Sequence, residues 1–299
     1  MTSSDDSLLA RPIIIVGSAR SGTDFLAHVL RQGNPLAFAN EPRMVWRFGN
    51  DGKSDMLRPE DARPEVIAFI RSRFARFVRE QGMQRLIETT PSNSLRVGFV
   101  DRVFPDAKII HIIRNGTDTV LSLRRYYTAN ARGVDPIGDR EQGEQGSIRG
   151  SALMGRFREA HPRQLPYYAM EVARRVAPKL FGPASLGQRI PGQPAMQREL
   201  DPIKVCFWQW RAAVEEAAHQ GRKLGPSRYR ECRLEKLTPE VIASLHEFCG
   251  LEKLDEALAW LAKEYDPSRP GAPSRGADPA ERAEVDAWVA PTMRWLGDA

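Results

Sequence analysis

The run Gly17-Ser18-Ala19-Arg20-Ser21-Gly22-Thr23-Asp24 combines residue types suited to holding an anion. Gly17 and Gly22 can take backbone angles closed to other residues. A helix starting at Thr23 would turn its unpaired N–H groups and the positive end of its dipole toward the loop. Ser21 and Thr23 add hydroxyls, and Arg20 adds a permanent charge with several donors. A second set follows at Arg114, Asn115, Asp118 and Ser122. A guanidinium at a strand end and a hydroxyl on the next helix converge on one phosphate if the chain reverses at Asn115-Gly116. Glu41, between Asn40 and Pro42, is a carboxylate placed to take a proton. Pro42 favours an extended conformation for it. His111 alternates with Ile110 and Ile112 and reads as a packed core histidine.

These residues need a scaffold that brings them to one edge. Short apolar, β-branched runs predict strands over residues 12–16, 36–39, 85–89, 108–113 and 229–234. Helical periodicity predicts helices over 23–31, 65–79, 94–104, 117–127, 165–180, 204–219 and 239–249. The alternation implies an α/β fold, a P-loop-like parallel sheet of about five strands flanked by helices with right-handed crossovers. Ligands of such sheets lie beyond the carboxyl ends of the strands, where the two candidate sets fall. Residues 128–201, rich in glycine and proline with a helical piece inside, read as an insertion forming a helical acceptor lid. The expected organisation is one domain over 1–299, with a core at 12–127, the lid, and a C-terminal part at 202–299.

The glycine spacing is half of the kinase-type phosphate loop G-x-x-x-x-G-K-[ST]. Thr23 stands where that motif has lysine, and Asp24 where it has a metal-holding hydroxyl. A nucleotide kinase or hydrolase stays open as an alternative. The 44 Lys and Arg against 38 Asp and Glu give a net charge of +6, which suits an anionic ligand. No cluster of basic residues with stacking aromatics points to nucleic acid. Cys206, Cys232 and Cys249 are too scattered for a zinc site or a disulfide framework and fit a reducing compartment. The polar, acidic N-terminus and the lack of an apolar run near 20 residues lead us to expect a cytoplasmic protein.

Arg20-Ser21-Gly22-Thr23 after the first strand, and Arg114, Asn115, Asp118 and Ser122 after the fourth, resemble the two phosphate signatures of sulfotransferases that use 3′-phosphoadenosine 5′-phosphosulfate (PAPS). The likeness is strongest to the bacterial and tyrosylprotein branches and covers residues 12–125, more loosely 204–251. It implies that residues 17–24 hold the 5′-phosphosulfate and that Arg114 and Ser122 hold the 3′-phosphate. Asn40-Glu41-Pro42 resembles the family segment whose glutamate is the proposed general base, and Arg20 would steady the leaving oxygen. Three positions depart from the pattern. Asp24 replaces a Thr or Ser, and Gly116 replaces the proline of R-[ND]-P-x-D-x-x-x-S. In Glu88-Thr89-Thr90-Pro91, Thr89 replaces the lysine of E-K-T-P, which leaves Arg20 alone or brings in Arg43. The implied reaction is sulfuryl transfer from PAPS, with PAP as product and no metal required. The acceptor would be a hydroxyl or amine of a small molecule, carbohydrate or lipid. A non-catalytic nucleotide-binding relative is the remaining alternative.

Overall fold

The computed structural model describes residues 7–131, 161–176, 180 and 187–297. Much of the 128–201 lid expectation therefore lies outside the described residues. The strands are Ile13–Val16 (β1), Leu36–Ala39 (β2), Arg85–Glu88 (β3), Lys108–Ile113 (β4) and Tyr229–Arg233 (β5). They form one sheet in the order β2-β3-β1-β4-β5 with every pair parallel. The helices, in chain order, are Thr23–Leu30 (α1), Arg43–Arg47 (α2), Pro64–Glu80 (α3), Val97–Val103 (α4), Gly116–Ala131 (α5), Leu165–Val176 (α6), Gln193–Glu199 (α7), Pro202–Gly221 (α8), Pro239–Cys249 (α9), Leu254–Glu264 (α10), Ala272–Arg275 (α11) and Pro279–Trp295 (α12). None of the described helices is long and apolar enough to cross a membrane.

The continuous apolar runs of β1 and β4 are explained by burial on both faces. Ile14, Val16 and Ile109 pack with Trp46, Phe74, Phe99 and Phe104 on the side of α3 and α4. Ile13, Ile15, Ile110 and Ile112 pack with Leu26, Leu30, Ile242 and Leu245 on the side of α1 and α9. A further apolar layer joins α5, α8 and α12 through Val120, Leu121, Trp210, Val285 and Val289. His111 is fully buried as expected; burial lowers its pKa to about 3, and Nδ1 lies 2.7 Å from the Tyr229 hydroxyl.

The chain leaves β1 toward β2 on one side and leaves β4 toward β5 on the other. Strand order therefore reverses between β1 and β4, which pair directly with Val16 opposite His111. This is the crevice in which open α/β sheets bind ligands. Helices α2, α7, α10, α11 and α12 lie where no helix is expected from the sequence. In α12 only Val285, Val289 and Thr292 are buried, and Pro291 interrupts it, so its apolar period is faint. Trp208 and Trp210 divide as their spacing requires: Trp210 is fully buried, and Trp208 packs half-buried against Leu95, Ile190 and Ala213.

The structure also corrects the expectation that Pro42 holds Glu41 extended. Glu41 has φ 50°, a left-handed conformation uncommon outside glycine. The cause is the short passage from β2 into α2. Pro42 has φ −71° and ψ 64°, and the Arg43 N–H donates to the Glu41 carbonyl at 2.6 Å. That is an inverse γ-turn, and it reverses the chain immediately after Glu41.

Gly116 begins α5 where the indole of Trp210 comes in. A Cβ on it would lie 2.6 Å from Trp210 Cζ2 and 2.8 Å from Val289 Cβ. The space that a proline ring would take is already filled from α8 and α12. Gly116→Ala is expected to destabilise the protein by roughly 1–3 kcal/mol through overpacking, although alanine is the better helix former. Urea unfolding checks this; an unchanged or raised midpoint would refute the packing account.

Candidate active site

The loop after β1 closes on itself before it can offer anything to a ligand. The Ser21 N–H donates to the Ser18 carbonyl at 3.1 Å, and the Ser21 hydroxyl donates to the same oxygen at 2.6 Å. The Ser21 hydroxyl thus fixes the loop's shape. A Cβ on Gly17 would stand 2.6 Å from the Ile112 carbonyl and equally near Ser21 Oγ. Gly22, the N-cap of α1, has φ 89° and rests on Leu234, whose Cδ1 would lie 2.8 Å from an added Cβ. Glycine is required at both positions, by close approach at the first and by conformation at the second. No side chain caps α1. Its first N–H groups and dipole end are directed to the loop, an arrangement fit for an anion.

The second set comes to the same place. Arg114, at the end of β4, donates from Nη1 to the Arg20 carbonyl at 2.9 Å. Arg20 has φ 72°, and its Nε donates to Ser122 Oγ at 3.3 Å. Its guanidinium lies 5.7 Å from the centroid of the Tyr126 ring. Each arginine therefore holds the other's segment. Asn115 caps α5, its side-chain oxygen accepting from the Asp118 N–H at 3.1 Å. Asp118 accepts from the Ser274 N–H at 2.8 Å. Burial lowers the pKa of Arg114, while Asp118 and Glu235 oppose the shift.

Two further segments complete this edge. Glu235, just past β5, accepts from the Asn115 N–H at 2.8 Å. The Pro270 carbonyl accepts from Arg114 Nε at 3.1 Å and also from Nη2. Arg275 turns back and donates to the Ser268 carbonyl within its own loop.

Glu41 pairs with Arg43 at 2.6 Å. Both bear on Tyr127, which neighbours the Tyr126 stacked near Arg20. Burial raises the pKa of Tyr127, Glu41 adds to the rise, and Arg43 opposes it. Tyr127 donates to Gln209 Oε1 at 3.0 Å. Gly187 passes so near that an added Cβ would lie 2.0 Å from the Tyr127 hydroxyl. Residues 187–193 cross here, with Gln188 donating to the Pro91 carbonyl at 2.8 Å.

Two of the unusual residues in the sequence prove to be partners. The Thr89 hydroxyl donates to Asp24 Oδ1 at 2.8 Å. The carboxylate added to the loop is held by the hydroxyl that stands at the other departure. Nothing in either local string signals the pairing, because the residues are 65 apart.

Beside them lies Glu88, fully buried. Its burial drives the carboxyl up to about 7, against hydrogen bonds from Thr90, Trp46 and Asn93. Further in, Asp55 is equally buried, but Arg47, Arg96 and Arg189 outweigh its burial and hold it at about 2.

A model of the Sulfotransferase family matches residues 12–166. The chain belongs to the sulfotransferase family. Its reaction class is sulfuryl transfer. Among solved structures, the sulfotransferase domain from the curacin biosynthetic pathway superposes with a TM-score of 0.50 at 14% identity, covering 95% of this chain and 99% of that one. Sulfotransferase STF9 from Mycobacterium avium gives a TM-score of 0.51 at 12% identity, covering 97% and 78%. At these identities the likeness is one of fold. No curated protein sequence matches the chain significantly.

The raised Glu88 carboxyl has a consequence for this sulfotransferase's stability. Below about 4.5 the group is neutral folded and unfolded, and its contribution is complete. Between about 4.5 and 7 only the unfolded chain ionises, so stability is lost as pH rises. Urea unfolding from pH 4 to 8 should show wild type losing stability relative to Glu88→Gln across that window. A pH-independent difference would contradict it.

Proposed function

We propose that the protein transfers the sulfuryl group of PAPS to a hydroxyl or amine of a small-molecule, carbohydrate or lipid acceptor. The observation that carries this reading is the reciprocal hold at the end of β1 and β4. Arg114 grips the Arg20 carbonyl and Arg20 grips Ser122, so two anion-suited segments 94 residues apart share one crevice. Two such segments side by side suit a donor that carries two phosphates on one ribose.

In this scheme the N–H groups of residues 17–24 and the Arg20 side chain hold the 5′-phosphosulfate. Arg114 and Ser122 hold the 3′-phosphate, and Arg114 shares its donors with, or gives up, the Pro270 carbonyl. The acceptor oxygen or nitrogen bonds to sulfur as the bond from sulfur to the 5′-phosphate oxygen breaks. Glu41 takes the acceptor's proton, and PAP departs with the bonding pair. For that, Glu41 must part from Arg43, whose freed guanidinium supplies positive charge where Thr89 supplies none. Fixed donors and arginines provide the transition-state charge, so the scheme calls for no metal. Residues 12–127 would form the donor-binding core of a single domain, with acceptor contacts from 128–201 and completion by 202–299. Three buried, scattered cysteines support a reducing compartment such as a bacterial cytoplasm.

Calorimetric titration with PAP tests the reading, with ADP and with ATP plus magnesium as controls. PAP is expected to bind, and Arg114→Ala to weaken it at least tenfold. Preference for ATP with magnesium would overturn the proposal in favour of a kinase. Glu41→Gln should bind PAP as wild type does yet turn over about 10²–10⁴ times more slowly. Near-normal turnover in that variant would remove Glu41 as base. Arg20→Ala should lose most of its turnover; retention would deny it the leaving-group role.

A further inference from the structure

Glu88 ends β3 one residue before Thr89, with its carboxylate sealed from solvent. Its side-chain oxygens accept from Trp46 Nε1 at 3.0 Å, from the Thr90 N–H at 2.8 Å, from the Thr90 hydroxyl, and from Asn93 Nδ2 at 2.9 Å. Three of these partners can only donate, and the Thr90 hydroxyl can donate or accept, so the hydrogen bonds favour the ionised group while burial opposes it.

The cradle is continuous with both sides of the active site. On one side, Thr89 follows Glu88 directly and bonds Asp24 at the start of α1. On the other, Asn93 Oδ1 accepts from Arg96 Nε at 2.8 Å, and Arg96 Nη1 lies 3.9 Å from Asp55. Asp55 accepts from the Arg189 N–H at 2.8 Å and returns its own N–H to the Arg189 carbonyl at 2.6 Å. The turn between these ends is itself tied to the crossing segment by Gln188 at the Pro91 carbonyl.

We infer that Glu88 is a positioning residue for sulfuryl transfer: as a carboxylate it gathers the 89–93 turn, and from that buried point it sets both the loop at Asp24 and the segment 187–193. The inference rests on the sulfotransferase reading of that loop. Protonation reverses the bond to the Thr90 hydroxyl and weakens those from Trp46, the Thr90 N–H and Asn93, which then meet a neutral group, so the cradle loosens as pH falls. The charged groups that face it are Arg96 at the start of α4, Asp24 on α1 through Thr89, and, beyond Arg96, Asp55 with Arg47 of α2 and Arg189. Arg96 favours the ionised form, and the two aspartates oppose it. Burial against these donors places the change near 7, so turnover gains an acid limb in the neutral range.

The test is amide hydrogen exchange by mass spectrometry on the full chain, wild type beside Glu88→Gln and Trp46→Phe at each pH, with pH–rate profiles. Glu88→Gln should speed exchange several-fold in both 17–24 and 187–193, and its rate profile should lack the acid limb. Trp46→Phe removes one donor and keeps the ring packing, so its limb should move to higher pH. Faster exchange confined to 85–96, or an unchanged acid limb in both variants, would overturn the inference. If Glu88→Gln does not fold, Trp46→Phe decides by the same readings. Absence of PAP binding by wild type would instead defeat the nucleotide reading, and the exchange pattern would still decide whether Glu88 couples the two segments.

Discussion

Everything at the crevice depends on how closely β1 and β4 end beside one another. Gly17 leaves β1 so near the Ile112 carbonyl that no side chain fits between them. At that separation Arg114, two residues beyond Ile112, reaches the Arg20 carbonyl, and Arg20 in turn reaches Ser122 on the helix after β4. Arg20 adopts φ 72° to do so, a strained conformation that surrounding contacts must hold in place. A larger residue at position 17 would push the strand ends apart and undo both bonds. The electrostatics of the site therefore rest on a steric fact in the sheet.

The departures from the family pattern become intelligible as contacts. Asp24 puts a negative charge beside a loop whose N–H groups would suit an anion, and Thr89 supplies a hydroxyl to hold it. Gly116 lacks the pre-organised φ of proline at a helix start, and the indole of Trp210 lies where the ring would go. In each case the unusual residue and its compensation sit on different elements. No cation stands at Thr89; Arg43, brought beside Glu41 by the tight turn at Pro42, pairs with the candidate base at 2.6 Å.

The interior behind the site shows how partner type sets the charge state of a buried acid. Asp55 and Glu88 are both out of water, and burial raises both. Asp55 faces three guanidinium groups and is held at about 2; Glu88 is bonded by neutral donors and stays at about 7. Full charges overcome desolvation where dipoles only reduce it. The first acid is a fixed anchor for the 187–193 segment, and the second can change state in the neutral range.

The five strands were legible in the sequence because buried parallel strands need unbroken β-branched runs, and the observed bounds differ from the reading by a residue at most. The sequence also put residues 17–24, Arg114 and Ser122 after the ends of β1 and β4, and the structure brings them together through Arg20. Helix α12 was hidden because its apolar period is faint and interrupted, and α2, α7 and α11 because they are at most two turns long; α10 does carry a period, in Leu254, Leu258 and Leu261, that the reading passed over. The left-handed Glu41 was hidden for a related reason: the residue preference says extended, and the turn into α2 overrides it. Which residues share a hydrogen bond across the sheet was decided only by the tertiary structure. Asp24 with Thr89, Glu88 with Trp46, and Arg114 with Pro270 are 65, 42 and 156 positions apart. Residue type and local spacing nominated the candidate groups; strand order and close packing settled which of them meet.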